Sequence, residues 1–565
     1  AKGGKYTREH FFEKYPELKE LIKDMSDEDI FNLNRGGHDP YKVFAAYQQA
    51  MNHKGQPTVI LAHTVKGYGM GPEAEAQNPS HSVKKLDFAS LKAFRDRFDV
   101  PIRDEDLEKL PFYRPAEDSP EMMYLRKQRE KLGGYMPVRT ETWQALKAPE
   151  LSTFKGQLDG SGEREISSTM AFVRILSQLV KDKSLGERVV PIVPDEARTF
   201  GMEGMFRQLG IYSSEGQLYN PVDSGQMMYY REDKKGRILE EGINEAGAFA
   251  AWMAAATSYS TNSLAMVPVY VFYSMFGFQR IGDLAWAAGD MQAQGFLIGA
   301  TSGRTTLNGE GLQHQDGHSH ILASSIPNCV SYDPTYGYEL AVIMQDGLHR
   351  MYEKKEKVFY YITTMNENYT HHAMPEGAEE GIRRGMYPLA TVGDAAKDNE
   401  NCIQLLGCGA ILLQVEKAAA WLAEKGICCQ VWSVTSFNEL RRDGLGCERQ
   451  DYLSAGENIE EPYVTRQLKN TSGPIIAATD YMKTYADQIR PYIPADREYK
   501  VLGTDGFGRS DTRENLRHFF EVDWQHVAWA ALYELKKQGK ITDEMLAQAR
   551  EELEINSAKL DPLYS

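Results

Sequence analysis

Short apolar segments of strand length alternate with helix-length segments between residues 150 and 375. Pro, Gly or Asp bounds each apolar segment, and such alternation predicts parallel strands joined by crossover helices on both faces of a sheet. The predicted strands are Val189–Val193, Ala265–Phe272, Phe296–Ala300, Val330–Asp333 and Val358–Thr363. The predicted helices are Met170–Lys181, Ala246–Tyr259, Ile281–Gln294 and Gly337–Lys354.

The same alternation resumes after residue 385, around a predicted helix Ala410–Lys425. The strands predicted there are Cys402–Gly407, Ile427–Val434, Ile475–Ala478 and Tyr499–Leu502. Residues 1 to about 145 are instead charge-rich and helical, with one predicted strand, Pro57–Thr64. A doubly wound domain needs several parallel strands, so we expect the N-terminal part of this first domain to be absent. The predicted fold is therefore α/β, with doubly wound parallel-sheet domains in series.

Composition and charge narrow the class of function. The net charge of −16 argues against nucleic acid as a partner, because phosphate binding needs a basic surface. No apolar run approaches the ~18 residues of a membrane span. The six cysteines include no CxxC pair and predict no disulfide framework, which favours a reducing cytoplasm as the location.

Two segments near predicted strands carry side chains suited to holding a ligand. Glu245 begins a long helix rich in small residues, where it or Asn244 could simply cap the helix. The alternative is that Glu245 shares a proton with a ligand. Tyr273, Phe276 and Phe278 follow the predicted strand Ala265–Phe272 and could stack on a flat heterocycle, although core packing is the usual role of such aromatic side chains.

Polar loops supply the other candidates. The loop that follows Phe296–Ala300 carries Glu310 and His314, together with His318 and His320. No HExxH-like spacing is present, so a catalytic loop is favoured over a metal cluster.

Three further positions are less decisive. Lys66 lies in a Gly-rich loop that lacks the Walker spacing, but it could still contact a phosphate or carboxylate. His81 lies in a polar surface loop, Pro72–Lys85, which is predicted to be mobile. The adjacent acids Asp195 and Glu196 follow a strand, and a surface turn is an equally good interpretation for them.

Eight segments, taken together and in this order along the chain, resemble one known family. They are NRGGHDP (Asn34–Pro40), ILAHTVKGYGMG (Ile60–Gly71), MAFVRIL (Met170–Leu176), VPDEARTFGMEG (Val193–Gly204), INEAGA (Ile243–Ala248), YVFYSMFGFQRIGD (Tyr270–Asp283), LNGEGLQHQDGHSH (Leu307–His320) and GTDGFGRSD (Gly503–Asp511). This set resembles the transketolase-like thiamine diphosphate family. Within that family it is most similar to the homodimeric subunits that decarboxylate pyruvate.

The resemblance implies a domain arrangement and cofactors. Residues 1–145 would be the C-terminal remainder of a pyrophosphate-binding domain, 146–375 a pyrimidine-binding domain, and 376–565 a transketolase-like C-terminal domain. Thiamine diphosphate and Mg²⁺ are the implied cofactors. The family's metal motif, a GDG followed by Asn, does not occur in this chain, so no metal ligand is expected here and the chain alone may be inactive. A homodimer with sites at its interface is implied as well.

The reaction implied by the resemblance is oxidative decarboxylation of pyruvate, with reductive acetylation of the lipoyl domain of a dihydrolipoyl acetyltransferase partner. It would supply acetyl groups for acetyl-CoA formation. The implied catalytic residues are Glu245, His81, His314, Tyr273, Lys66 and Glu196. The implied cofactor-binding residues are Glu245, Phe276, Tyr273, Asp195 and Lys66, with Glu310 supporting the histidine loop.

Three alternatives stay open on the sequence. A sugar-phosphate transketolase usually has Gly-Pro-Thr-His where this chain has Gly311–His314 (GLQH). A 2-oxoglutarate enzyme cannot be separated from a pyruvate enzyme on these residues. The third alternative is a non-catalytic dimerisation or assembly fragment, which the missing metal motif favours for the chain by itself.

Overall fold

The computed structural model describes residues 2–33, 36–71, 74–135, 142–195, 197–394, 402–457 and 460–565. The chain divides into two compact units, Ala1–Met136 and Pro137–Ser565.

Unit 1 is built of helices, as its charge-rich sequence predicts. Side chains at several N-termini accept backbone N–H bonds that the first helical turn leaves unpaired, as Ser26 and Asp39 do. The helices are α1 (Gly3–His10), α2 (Pro16–Leu21), α3 (Asp27–Phe31), α4 (Pro40–Asn52), α5 (Phe88–Arg97) and α6 (Pro120–Lys131).

The strand predicted at Pro57–Thr64 is wrong. The structure has no strand there, and Val59 and Leu61 are 81% and 92% exposed. A strand needs a neighbour to pair its backbone N–H and C=O groups, and none of the described residues of unit 1 forms one.

Unit 2 contains a six-stranded parallel sheet, in the order β2-β1-β3-β4-β6-β5. Its strands are β1 (Val189–Val193), β2 (Leu239–Glu240), β3 (Val267–Tyr273), β4 (Phe296–Ala300), β5 (Cys329–Tyr332) and β6 (Phe359–Thr363). The five predicted strands are all present, each within two residues of its predicted ends. Within this sheet, the two-residue edge strand β2 is the strand that was not predicted.

Helices return the chain between these strands. The predicted helix Ala246–Tyr259 is present as two pieces, and Gly337–Lys354 continues past its α-helical part as a wider turn, His349–Glu353. The helices are α7 (Lys155–Leu158), α8 (Ser168–Leu179), α9 (Glu203–Leu209), α10 (Glu245–Ala256), α11 (Ser258–Thr261), α12 (Gly277–Asp290), α13 (Ser319–Ser324) and α14 (Gly337–Leu348).

A second sheet of five strands follows, in the order β7-β9-β8-β10-β11. Its strands are β7 (Tyr387–Val392), β8 (Ile403–Gly407), β9 (Cys429–Ser433), β10 (Ile475–Ala478) and β11 (Tyr499–Leu502), and β7 alone runs antiparallel to its neighbour. The helices are α15 (Ala378–Arg384), α16 (Leu412–Glu424), α17 (Phe437–Leu453), α18 (Tyr463–Leu468), α19 (Thr484–Asp487), α20 (Arg513–Phe520), α21 (Trp524–Lys537) and α22 (Asp543–Glu552). The predicted α/β fold class is therefore confirmed.

A buried carboxylate joins the two sheet regions of unit 2. Glu339, on α14, accepts hydrogen bonds of 2.6 Å from both Ser433 Oγ and Tyr387 OH, which belong to the second sheet. The backbone N–H groups of Thr335 and Tyr336 complete its shell at 2.6 and 3.0 Å. Burial raises the pKa of the Glu339 carboxyl, and these donors oppose that rise.

One cysteine pair departs from expectation. Cys402 and Cys428 form a disulfide at the starts of the neighbouring strands β8 and β9, and the other four cysteines are free and buried. Their spacing along the chain could not reveal the pair, because these strands become neighbours only within the sheet. Within the described part of the chain, no helix is both long and apolar enough to cross a membrane.

Candidate active site

The carboxyl ends of β3 and β4 bring two loops together. The strands are parallel neighbours, and their last residues, Tyr273 and Ala300, are register partners. The chain leaves β3 through a short 3-10 turn, Ser274–Phe276, and leaves β4 through the histidine-bearing loop. Ligands bind at such strand ends in parallel sheets, because the following loops converge there.

Three rings meet at this edge. The His314 ring centroid lies 5.3 Å from that of Tyr273 and 5.0 Å from that of Phe276, both edge-on. Tyr273 also packs edge-on against Phe200 at 5.4 Å. The predicted aromatic pair and the predicted histidine therefore belong to one cluster. Phe278 does not join it, because its ring is buried against Tyr361 in the core.

Glu245 reaches the same cluster through an arginine. The Arg280 guanidinium pairs with the Glu245 carboxylate and lies 4.1 Å from the centroid of the Phe276 ring. The Glu245 side chain is only 12% exposed. The capping alternative applies to Asn244 instead, because its side chain accepts the N–H of Gly247 at 3.0 Å. The Glu245 carboxylate thus lies at the positive end of α10, where Arg280 of the neighbouring helix α12 holds it.

The loop that carries His314 is braced from the C-terminal part of the chain. Gln315 is buried and accepts the backbone N–H of Arg509 at 2.6 Å, while its amide donates to the Leu307 carbonyl at 2.9 Å. Ser510 donates to the Glu310 carbonyl at 2.5 Å. The GTDGFGRSD segment (Gly503–Asp511) thus contacts the histidine loop directly.

His314, in that loop, and His320, just after it on α13, lie in different surroundings. His314 Nδ1 is 3.7 Å from a Glu310 carboxylate oxygen and has no hydrogen-bond partner among the described residues. His320 is fully buried, and burial lowers its pKa to about 3. His320 Nε2 lies 2.8 Å from Thr363 Oγ1, so this is a core histidine.

Two acidic residues at the carboxyl ends of β1 and β2, Asp195 and Glu240, interact with each other. Asp195 is exposed two residues after β1, and Glu240, the last residue of β2, accepts a 2.6 Å hydrogen bond from Tyr230 OH. Burial raises the pKa of the Glu240 carboxyl and the Asp195 charge adds to that rise, while the Tyr230 hydroxyl opposes it.

Family models match two stretches of this chain. The pyruvate dehydrogenase E1 component middle domain matches residues 146–372, and the transketolase-like TK C-terminal domain matches residues 385–523. The pyruvate dehydrogenase E1 component of Pseudomonas aeruginosa is 64% identical over 564 residues, which is 100% of this chain. Those of Escherichia coli K12 and Cupriavidus necator are 57% and 54% identical, also over the whole chain.

Over its whole length the chain is similar to pyruvate dehydrogenase E1 components. It spans 63% of the length of each of these three relatives. Solved transketolases share its fold. The Campylobacter jejuni enzyme has a TM-score of 0.59 at 17% identity, covering 88% of this chain and 66% of its own. A Pichia stipitis enzyme has a TM-score of 0.58 at 14% identity, covering 92% and 70%.

The structure brings five predicted residues to one edge of the first sheet: Glu245, Tyr273, Phe276, Glu310 and His314. Lys66 and His81 are exposed residues of unit 1, and their part in the site stays a prediction. Glu196 lies outside the described residues.

Sequence reasoning missed Arg280. It lies inside the quoted YVFYSMFGFQRIGD segment, four residues after Phe276. One helical turn separates these positions, so their proximity could have been inferred from spacing. Its pairing with Glu245, 35 residues away, could not be inferred in that way.

Proposed function

We propose that this chain is the larger part of a thiamine diphosphate-dependent enzyme that oxidatively decarboxylates pyruvate. The acetyl product would pass to the lipoyl group of a dihydrolipoyl acetyltransferase partner. One observation supports this proposal above all. Tyr273, Phe276 and His314 contact one another at the ends of β3 and β4, next to the Glu245–Arg280 ion pair. The names of the relatives that match the whole chain support pyruvate as the substrate, ahead of 2-oxoglutarate or a sugar phosphate.

The residues at this edge fit a cofactor that has one aromatic heterocycle and a nearby reactive ring. The Phe276 ring, with the Arg280 guanidinium over it, adds an aromatic surface, and the shielded Glu245 carboxylate can accept a hydrogen bond from a protonated ring nitrogen. Thiamine diphosphate, when bound, supplies the carbon nucleophile for attack on a 2-oxo acid.

The side chains then have distinct tasks. Glu245 would hold a proton at the pyrimidine ring, and Arg280 would keep its carboxylate in place. His314, whose Nδ1 is free of hydrogen bonds among the described residues, would donate a proton to the oxygen of the substrate carbonyl. Tyr273 would help to orient the substrate carboxylate. Lys66 and His81, both in unit 1, would be further catalytic residues.

Glu196 and Asp195 would lie near the pyrimidine ring in this proposal, and Glu310 would position His314. The Mg²⁺ ligands would come from the part of the relatives' length that this chain does not span. A homodimer would complete each site at its interface.

The proposal includes the domain assignment. Residues 1–145 would end the pyrophosphate-binding domain, 146–375 would form the pyrimidine-binding domain, and 376–565 the C-terminal domain. The two matched family models and the division between the two units near residue 136 support these bounds.

Binding and turnover test the proposal with a matched pair of variants. Thiamine diphosphate binding with Mg²⁺ is measured by calorimetry on this chain and on a form extended to the length of the relatives. Pyruvate-dependent reduction of an electron-accepting dye is then measured on the extended form. We expect Glu245→Gln to lower kcat by about 10²- to 10⁴-fold, because an amide cannot exchange a proton with the cofactor ring as a carboxylate does. Glu424→Gln, an exposed change at the end of α16, is the control.

Each outcome has a clear meaning. Tight Mg²⁺-dependent binding by the extended form, with pyruvate turnover that Glu245→Gln removes, supports the proposal. Binding by neither form overturns it and favours an assembly role. Turnover of 2-oxoglutarate or a sugar phosphate, without turnover of pyruvate, would overturn the assignment of pyruvate as the substrate.

A further inference from the structure

Two histidines converge on one aspartate at the start of α21, remote in sequence from the candidate active site. Asp523 Oδ2 lies 2.9 Å from His518 Nδ1, and Asp523 Oδ1 lies 2.5 Å from His526 Nδ1. One donor atom from each of the three residues falls within 4.8 Å of the other two. The two imidazole rings meet edge-on, with centroids 5.2 Å apart.

Helix capping explains only part of this arrangement. Asp523 is the N-cap of α21, and its Oδ1 accepts the backbone N–H of His526 at 2.9 Å. That role needs one oxygen and neither imidazole. Capping does not require the second carboxylate oxygen or the two Nδ1 atoms. These are three potential metal-ligand atoms that lie close together at a buried residue.

The surroundings allow access for an ion. His526 and Asp523 side chains are 9% and 8% exposed, whereas that of His518 is 46% exposed. A cavity of about 540 Å³ is lined by His518 and Asp523, so an ion and a water ligand can reach the carboxylate from that side.

Basic groups near the cluster are paired with other acids. Glu367 forms ion pairs with both Arg517 and Arg513. Lys559, whose ammonium donates to the His518 carbonyl, lies 3.7 Å from a Glu521 carboxylate oxygen. Lys559 also interacts electrostatically with Asp523, whereas both arginines pair with Glu367. A cation at the two imidazoles would therefore compete with the Lys559 ammonium, and not with a guanidinium, for the Asp523 carboxylate.

We propose that His518, Asp523 and His526 form a structural site for a late first-row divalent cation of the Zn²⁺ class. Two imidazole nitrogens and a carboxylate oxygen suit Zn²⁺ or Co²⁺, with water as a further ligand from the cavity. Mg²⁺ is excluded as the occupant, because it prefers an octahedral shell of oxygen ligands.

Binding requires a small movement. Donor atoms about 2.0–2.2 Å from a tetrahedral ion lie roughly 3.3 Å from each other, which is farther than the present hydrogen bonds. Both histidine–aspartate contacts, at 2.9 and 2.5 Å, would have to lengthen. The half-exposed His518 side chain can swing outward, and a rotation of the Asp523 carboxylate would separate its Oδ1 from the buried His526 ring. The bound ion would then tie the end of α20 to the start of α21, and it would do so independently of the proposed catalytic function.

Cobalt absorption tests the site directly on the 565-residue chain. Co²⁺ is titrated in a buffer that contains excess Mg²⁺, and the visible d–d bands are recorded. We expect saturation at one Co²⁺ per chain, loss of the bands when Zn²⁺ is added, and a higher melting temperature with either ion. His518→Asn and Asp523→Asn should each weaken binding by more than about 10-fold. Asp523→Asn retains an N-cap acceptor, and circular dichroism without metal checks that both variants fold.

His349→Asn is the matched control. His349 is 38% exposed and is paired with a single carboxylate, Glu353. Its variant should bind Co²⁺ as the parent chain does. The proposal is overturned if the parent shows no saturable bands, or if a folded Asp523→Asn variant keeps the parent's affinity.

Discussion

The Arg280 guanidinium pairs with the Glu245 carboxylate while it covers the Phe276 ring at 4.1 Å. One side chain on α12 thus fixes both a carboxylate on α10 and an aromatic ring at the end of β3. The Glu245 carboxylate is held in one orientation before any ligand arrives, which is the preorganisation that proton control at a bound ring requires.

Replacing Arg280 should therefore affect turnover more than folding. We expect Arg280→Gln to lower kcat for pyruvate about 10- to 100-fold, because the Glu245 carboxylate loses its fixed position. The measurement is kcat and KM for pyruvate, with thiamine diphosphate affinity, in the form extended to the length of the relatives. Arg207→Gln, an exposed change on α9, should leave all three unchanged. Full activity in Arg280→Gln would show that Glu245 needs no such support.

Gln315 should matter for catalysis although it is not expected to contact the substrate. Its side chain joins the Arg509 N–H to the Leu307 carbonyl, so Gln315→Ala frees the loop that carries His314. We expect kcat/KM for pyruvate to fall about 10-fold or more, together with faster amide hydrogen exchange in residues 308–314. The exposed Gln538→Ala is the control. Unchanged exchange in that loop would contradict this bracing role.

Glu339 should be a main determinant of stability in unit 2. Glu339→Ala removes the carboxylate that accepts from the Ser433 and Tyr387 hydroxyl groups and from the backbone N–H groups of Thr335 and Tyr336. We expect the free energy of unfolding to fall by about 3 kcal/mol or more, which is measured as a lower melting temperature. Glu339→Gln, which keeps an acceptor oxygen, should lose less. Glu424→Ala, at an exposed site on α16, should change the melting temperature little.

Asp333 should make stability depend on pH. Burial raises the pKa of its carboxyl to about 7, the nearby Asp480 and Asp316 charges contribute to the rise, and hydrogen bonds including the one from Thr363 oppose it. The folded state therefore favours the protonated form, and the associated stability is lost as the pH rises from about 4 to about 7.

Asp333→Asn removes this titration and keeps an oxygen for the 2.6 Å bond from Thr363. The parent loses this stability as the pH rises from about 5 to about 8, and the variant does not. The free energy of unfolding of the variant minus that of the parent should therefore increase by about 2–3 kcal/mol between these two pH values. Melting temperatures of both proteins at the two pH values measure it. Parallel pH profiles would show that Asp333 does not titrate in this range.

Much of the fold of unit 2 was predictable because its signals are local. An apolar run such as Phe296–Ala300, bounded by glycine and threonine, specifies a buried strand without reference to the rest of the chain. The same reasoning failed at Pro57–Thr64, where the apolar pattern is equally clear. Strand formation there depends on a partner strand, which a local pattern cannot supply.

The candidate site was only partly predictable for a related reason. Tyr273, Phe276 and His314 could be placed near each other because each follows a predicted strand of one parallel sheet. The Arg280–Glu245 pair could not, and neither could the attachment of the histidine loop to Arg509, which is 194 residues from Gln315 in sequence. Such contacts depend on how helices and loops pack after the sheet has formed.

The amino-acid sequence by itself determined the α/β class, the order of strands along the chain and the family resemblance, because periodicity and ordered motifs are properties of short segments. Tertiary structure alone decided which residues meet. It paired Glu245 with Arg280, joined Cys402 to Cys428, buried His320 in the core and gathered His518, Asp523 and His526 around one carboxylate. Those outcomes depend on the packing of elements distant in sequence, where burial and hydrogen-bond geometry set the environment of each side chain.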